Sequence, residues 1–264
     1  MSLIYEPRGK AREYSPWALN IYTGCVHGCK YCYAPKCLHK SEDDYFREPS
    51  PREGIVEQLD RELTRKPHDG RQVLLSFIGD PYTHSTDDNA ATREVLEVLL
   101  RHKVPVAILT KAGSSCLRDI NLFKKFGKHI QVGATLTFHN KNLSAKWEPN
   151  AAKPFERIDI LNELSKENIR TFASFEPVII PSETLQLLKI CASWKLLDIY
   201  KIGKLNNFQG LDKKIDWTDF LKKALEIVRP TGKGIYIKED LRLACPSIEL
   251  TAAEMNPDIH NVTW

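Results

Sequence analysis

Val73-Leu74-Leu75-Ser76-Phe77-Ile78 is an almost unbroken apolar run that stops at Gly79-Asp80-Pro81. A strand with one wet face alternates apolar and polar residues. A continuous run of this length is instead the pattern of a strand covered on both faces, as in a parallel sheet. Glycine, aspartate and proline then break the run as turn residues, and a helical pattern follows from about Ala90 to His102.

The same unit recurs in both directions along the chain. Before it, Ala18 to Tyr22 is a short apolar run, followed by a polar loop and a helical pattern over about Pro51 to Arg65. After it come runs at 104–109, 130–138, 169–175 and 197–202, each trailed by a helical pattern, at 117–126, 154–166, 183–192 and 217–228. A last run, 234–238, precedes an irregular tail. Strands alternating with helices at this spacing predict βα units around a parallel sheet. Periodicity alone leaves two forms open, a doubly wound sheet or a curved, incomplete barrel. Either would bind its ligand at the carboxyl ends of the strands. One domain is expected over 1–264, with a core of about 15–240 and a C-terminal tail over 241–264.

Composition sets outer limits on function. The 264 residues are 42% hydrophobic and carry a net charge of +4, which tolerates a polyanionic partner but lacks the strongly basic footprint of a dedicated nucleic-acid binder. No window approaches the roughly 18 apolar residues of a membrane-spanning helix. The first residues, charged throughout, do not form a signal peptide. A cytoplasmic protein without a membrane partner is the expectation. Seven cysteines, an odd number with no export signal, suggest thiols or metal ligands rather than disulfides.

Three of them fall on one loop, Gly24-Cys25-Val26-His27-Gly28-Cys29-Lys30-Tyr31-Cys32-Tyr33, after the first strand. The spacing C-x3-C-x2-C lets three thiolates point at one centre. Structural zinc wants four protein ligands, commonly from paired C-x2-C knuckles, and no second knuckle exists. Thiolates also suit iron–sulfur clusters, which normally take four; three leave one iron open for chemistry. A zinc site completed by His27, His39 or Cys37 is the alternative.

This motif, with an aromatic residue before the third cysteine, resembles the signature of the radical S-adenosylmethionine (SAM) superfamily. Within it, Asn20-Ile21-Tyr22-Thr23-Gly24-Cys25 and Cys29-Lys30-Tyr31-Cys32-Tyr33-Ala34 are similar to the spore photoproduct lyase-like (SplB-type) family, as are Gly79-Asp80-Pro81-Tyr82, Leu109-Thr110-Lys111 and Phe175-Glu176-Pro177. The likeness covers about 15–205. It implies a partial (βα)6 TIM-like barrel with a short C-terminal extension. It further implies a [4Fe–4S] cluster on Cys25, Cys29 and Cys32 that cleaves SAM reductively to a 5′-deoxyadenosyl radical, and an external one-electron reductant. The lyase returns a hydrogen atom from a cysteine near the end of its second strand. Here that strand reads Leu75-Ser76-Phe77-Ile78-Gly79, a departure that bears on photoproduct repair and leaves SAM cleavage untouched.

The remaining strand ends supply the candidate SAM contacts. Gly79 and Asp80 suit the methionine amine, because glycine admits close backbone approach and a carboxylate accepts from an ammonium. Lys111 suits the carboxylate; Thr135 and Thr137 suit ribose or carboxylate; Glu176 suits ribose hydroxyls or substrate. Tyr31 and Tyr33 flank the cluster, with Tyr33 placed for the adenine. Lys201, Lys204 and Lys238, with Lys111, are expected to make the barrel mouth basic and to favour a nucleic acid or nucleotide as substrate, in a lyase or modification reaction. A peptide or small metabolite is the second enzymatic reading, and an iron–sulfur or zinc nucleic-acid-binding module the non-enzymatic one. Cys191, in an apolar helical pattern, belongs to the core.

Overall fold

A computed structural model describes residues 2–47, 49–83, 90–205, 208 and 210–264. Its centre is a sheet of seven strands, β1 Trp17–Leu19, β2 Val73–Leu75, β3 Val106–Thr110, β4 Ile130–Thr135, β5 Arg170–Val178, β6 Ile199–Lys204 and β7 Gly234–Ile237. They lie in sequence order β1 to β7, and all six neighbouring pairs are parallel. A doubly wound sheet must reverse its strand order at a switch point; this one never does. Right-handed crossovers taken always in one direction put every connection on the same face, so the sheet curls with helices outside. The curved, incomplete barrel is therefore the form adopted.

The helices are α1 Ala34–Cys37, α2 Glu42–Arg47, α3 Ile55–Arg65, α4 Ala90–Arg101, α5 Ile120–Phe126, α6 Lys141–Trp147, α7 Pro154–Lys166, α8 Pro181–Trp194, α9 Trp217–Val228, α10 Glu239–Ala244 and α11 Ala252–Met255. Pro154 and Pro181 occupy first helical positions, where the missing N–H costs nothing. Those long enough to show a 3.6-residue period lie close to their expected bounds. The short α1, α2 and α6 fall inside segments that read as loops. Strand β2 is shorter than its apolar run, because the chain leaves the ladder at Ser76, where the pocket begins.

Apolar residues from the outer strand faces and the helices form the main core. The inner face carries a small separate cluster, Leu74, Ala107, Phe172 and Ile199, with Tyr14, Phe77 and Leu109 against it. Below this cluster the lumen is filled by polar groups. The Gln72 side chain accepts from Gln131 Nε2 and from the Val262 N–H, and donates to the Tyr14 carbonyl.

β1 and β7 do not pair with each other. The N-terminal segment lies across the gap instead. Tyr5 forms an antiparallel bridge with Ala18 at the outer edge of β1. Glu13 accepts from Tyr236 Oη on β7 and from the Glu239 N–H, both at 2.7 Å. Ser15 Oγ donates to the Gln72 carbonyl at 2.7 Å. Open strand edges are thereby occupied by the protein's own chain, and Tyr14 is carried into the barrel.

Gly133 in β4 marks how tightly the lumen is packed. A Cβ there would stand 2.6 Å from the Phe172 carbonyl oxygen and 2.7 Å from its ring. Because one obstacle is the backbone of the neighbouring strand, a rotamer change cannot relieve it. Gly133→Ala should destabilise the fold by about 1–3 kcal/mol, the usual scale for overpacking. Urea unfolding monitored by circular dichroism checks this; an unchanged midpoint would show that β4 and β5 separate without cost.

Candidate functional site

The cysteine loop leaves the carboxyl end of β1 and is held from three directions. From α2, the Tyr45 carbonyl accepts the Cys25 N–H at 3.2 Å. From the end of α6 and the segment after it, the Trp147 carbonyl accepts the Lys30 N–H at 2.9 Å, and Asn150 donates its N–H to the His27 carbonyl and Nδ2 to the Val26 carbonyl. From the turn after β2, Thr83 Oγ1 accepts the Val26 N–H at 2.9 Å. Gly79, in the same turn, has φ of +85°, and a Cβ there would lie 2.6 Å from the Gly24 carbonyl oxygen. Both the left-handed backbone and the close approach demand glycine.

Asp80 is the hub of this arrangement. Its carboxylate accepts from the Tyr82 N–H at 2.9 Å, Thr110 Oγ1 at 2.7 Å, the Lys111 N–H at 2.7 Å and His27 Nε2 at 3.0 Å. Burial opposes its charge, but His27 and the other donors outweigh burial and bring its pKa down to about 2. Four donors saturate both oxygens, so the carboxylate binds the cysteine loop to the ends of β2 and β3.

A second buried charge lies behind the loop. Glu148 and Arg157 are each 1% exposed, and Arg157 Nη2 donates to Glu148 Oε2 at 2.7 Å. Arg157 also donates to the carbonyls of Ala152 and Thr135. The Tyr31 hydroxyl donates to Glu148, with Thr137 Oγ1 3.4 Å from each. Against burial, Arg157 and Lys111 hold the Glu148 carboxylate below its usual range.

These supports surround a cavity of about 480 Å³. The three loop cysteines line one wall, together with Tyr31, Tyr33, Gly79, Asp80, Lys111 and Thr135. Burial pushes the Cys25 thiol up to about 12, Asp80 adding to the shift while the His27 N–H and the Thr83 hydroxyl against its sulfur pull it back. Cys29 is likewise pushed to about 12 by burial, with Lys111 opposing. Burial also raises Cys32, against the Ala34 N–H. Thiolates here need a cation to compensate them, and bound iron would supply one.

Two buried polar atoms of cavity residues, His27 Nδ1 and Ser76 Oγ, have no hydrogen-bond partner among the described residues. Buried groups of that kind ordinarily mark an absent ligand, ion or water. Three thiols on one wall and two orphaned polar atoms fit a thiolate-held cluster with a polar ligand beside it. Zinc fits less well: among the described residues no three His, Cys, Asp or Glu side chains are grouped to hold a single ion. Cys37, the candidate for a fourth thiolate, is exposed and outside the lining.

The sequence candidates divide accordingly. Cys25, Cys29, Cys32, Gly79, Lys111, Thr135 and Tyr33 reach the cavity; Tyr33 stands 54% exposed at its mouth with Oη donating to the Phe77 carbonyl. Lys111 Nζ lies 5.8 Å over the Tyr31 ring. Burial works against its charge, yet Cys29 and Glu148 keep its pKa above the ordinary lysine value. Asp80, though it also lines the cavity, and the Tyr31 hydroxyl turn to internal partners. Thr137, 1% exposed, lies beyond the end of β4 with Glu148 and outside the cavity lining.

Glu176 belongs to the opposite wall, where Oε2 accepts from Tyr14 Oη at 2.7 Å and Lys238 Nζ at 2.6 Å. The expected basic mouth needs correction. Lys201 is 2% exposed, donates to the Tyr14 carbonyl and is absent from the lining, its pKa lowered to about 7 by burial and by Lys238. Lys238 is paired with Glu176 and Glu13, and Lys204 lies 3.8 Å from Asp212. Lys111, Lys204 and Lys238 do line the cavity, and the N-terminal segment adds Arg8 and Lys10, the latter ion-paired with Asp240. Sequence reasoning passed over Glu148, Arg157, Tyr14 and Thr83, for which no spacing or motif gives a signal.

The match to known proteins agrees with this geometry. A family model described as the Radical SAM superfamily matches residues 19–192. An uncharacterized protein of Methanocaldococcus jannaschii is 30% identical over 164 residues, which are 62% of this chain and 60% of that protein. One of Mycobacterium tuberculosis is 24% identical over 62% of this chain and 49% of its own. Among solved structures, Streptococcus suis SuiB bound to precursor peptide SuiA superposes with a TM-score of 0.64 at 17% identity, over 89% of this chain and 53% of SuiB. Spore photoproduct lyase complexed with dinucleoside spore photoproduct gives 0.59 at 10% identity, over 85% and 64%. The likeness to both structures is one of fold. The chain thus spans about half to two thirds of these proteins.

The buried pair behind the loop yields a stability test. Glu148→Leu leaves the Arg157 guanidinium uncompensated and should cost about 3–5 kcal/mol, whereas Glu148→Leu combined with Arg157→Met should recover much of that loss. Urea unfolding of both variants checks this, and a double variant as unstable as the single one would show that the pair's worth lies in its other hydrogen bonds.

Proposed function

Because the chain belongs to the radical SAM superfamily, whose enzymes use a [4Fe–4S] cluster to cleave SAM reductively, we propose that Cys25, Cys29 and Cys32 are the protein ligands of that cluster. The observation that carries the assignment is their shared wall of one cavity, with Cys37 outside it. When bound, the cluster and SAM supply one-electron cleavage of the sulfonium and a carbon radical for hydrogen abstraction.

The chain's own part is to bind, orient and exclude. Lys111, the one lysine on the cysteine wall of the lining, pairs with the SAM carboxylate. Gly79 admits the methionine end against the backbone. Thr135 meets the ribose, and Tyr33 covers the adenine at the mouth. Asp80, Tyr31 and Thr137 serve through the loop they brace. Glu176, hydrogen-bonded by Lys238 and Tyr14, faces the substrate side. Enclosure by Tyr14, Phe77 and Phe208 limits stray hydrogen donors.

The substrate is a nucleic acid or nucleotide. Tyr14, Tyr33, Phe77 and Phe208 offer faces for bases, and Arg8, with the ion-paired Lys10 and Lys204 beside it, offers charge for phosphates, all within the lining of one cavity. Aromatic platforms beside cations are how unpaired bases are held. That the solved spore photoproduct lyase carries a dinucleoside supports the same reading.

Anaerobically reconstituted protein should hold about four irons, with a spectrum that changes on adding SAM. Alanine at Cys25, Cys29 or Cys32 should abolish 5′-deoxyadenosine formation under dithionite, while Cys191→Ala leaves it largely intact. Iron analysis and chromatography of the nucleoside product read both, and cleavage retained in two of the three variants refutes the ligand set.

Single-stranded oligonucleotides should bind more weakly as salt rises. Each phosphate neutralised adds about 0.7 to the slope of log affinity against log salt. Arg8→Glu should lower it. Fluorescence anisotropy measures the slope, and no binding at low salt would favour the peptide or small-metabolite reading.

A further inference from the structure

The two carboxylate oxygens of Glu176, on β5, stand in different positions. Oε2 accepts from Tyr14 Oη at 2.7 Å and from Lys238 Nζ at 2.6 Å. Oε1 has no hydrogen-bond partner among the described residues, although Glu176 lines the cavity and its side chain is 17% exposed. Tyr14 Oη is held in turn by Ser174 Oγ at 2.7 Å, so the carboxylate is fixed at one oxygen and open at the other. Gly203 of β6 makes the arrangement possible. A Cβ there would stand 2.8 Å from Lys238 Cδ, 2.9 Å from Glu176 Cδ and 3.0 Å from Glu176 Oε1. Glu176 and Lys238, from the strands on either side, thus meet across the bare backbone of the strand between them.

An anionic oxygen that loses its water to a ligand must receive a hydrogen bond from that ligand. Oε1 therefore selects a donor and repels carbonyl and phosphate oxygens. We propose that Glu176 determines substrate specificity, its Oε1 accepting an N–H from the Watson–Crick edge of a base and so confining the site to unpaired bases. This rests on the nucleic-acid reading of the substrate. A base reaches the wall of an enclosed cavity only after leaving its stack and its partner, and the edge that pairing would occupy is then free to be read. Every base carries an N–H donor there. The carboxylate thus separates unpaired from paired bases rather than one base from another. Tyr14, Lys238 and Gly203 act through it as positioning residues.

Wild type and Glu176→Gln are titrated by fluorescence anisotropy with single-stranded oligo(dU) and oligo(dA). The same strands methylated at uracil N3, or doubly at adenine N6, lack the edge N–H and are titrated beside them. SAM binding to both reconstituted proteins is measured by equilibrium dialysis. In wild type, methylation should weaken at least one strand roughly tenfold, the scale of a hydrogen bond to a charged group. In Glu176→Gln the unmethylated strand should weaken and most of that discrimination should vanish. A methyl group that merely clashes would be rejected by both proteins alike, so full discrimination retained in Glu176→Gln overturns the proposal. A wild type that binds both methylated strands as tightly as their parents overturns it without any variant. Loss of SAM and oligonucleotide binding together in Glu176→Gln also overturns it, by assigning the carboxylate to SAM or to support of the cavity. If neither parent strand binds wild type at low salt, the nucleic-acid reading itself fails, a result seen before any methylated strand or variant is tried.

Discussion

Four hydrogen bonds converge on the Asp80 carboxylate, and the geometry of the site follows from them. A buried anion is costly unless its acceptor capacity is filled. Here the partners that fill it come from different places: the cysteine loop through His27, the end of β3 through Thr110 and the Lys111 N–H, and its own turn through Tyr82. Satisfying one charge therefore fixes three segments relative to each other. Gly79 brings the turn within contact of Gly24, and Thr83 adds the bond to Val26. The loop with the cysteines is thus tied to the turn after β2 and to the end of β3 by the protein's own groups.

Behind that loop the charges are arranged in layers. Glu148 and Arg157 compensate each other in the interior, Tyr31 and Thr137 complete the pair, and Lys111 faces the cavity with Cys29 beside it. Lys111 is thereby the cation on the cysteine wall with access to a ligand. The opposite wall follows the same logic, with Glu176 held between Tyr14 and Lys238. Each wall carries a carboxylate whose charge is locally balanced, and a radical site benefits from such fixed dipoles because they need no reorganisation when charge moves. The N-terminal segment makes this second wall possible: it fills the gap between β1 and β7 and delivers Tyr14 to the lumen.

The sequence by itself determined the parallel βα order, because continuous apolar runs alternating with helical periods have few other solutions. It determined the cysteine triplet, because metal-ligand spacing on one loop is local. Short helices such as α1 and α6 escaped notice, since a helix of one or two turns shows too little period to be told from a loop. Only the tertiary structure decided between an open sheet and a barrel, because strand order is a property of long-range pairing that no window contains. It also separated Asp80, Tyr31 and Thr137, which brace the site, from Lys111 and Thr135, which reach it: all sit at strand ends or on the loop, and which way each turns depends on partners 30 to more than 100 residues away. The basic mouth was reduced by pairing for the same reason. Lysines can be counted in a sequence, but whether each is solvated, buried or neutralised is settled by the carboxylates that folding brings beside it, and those lie on other strands.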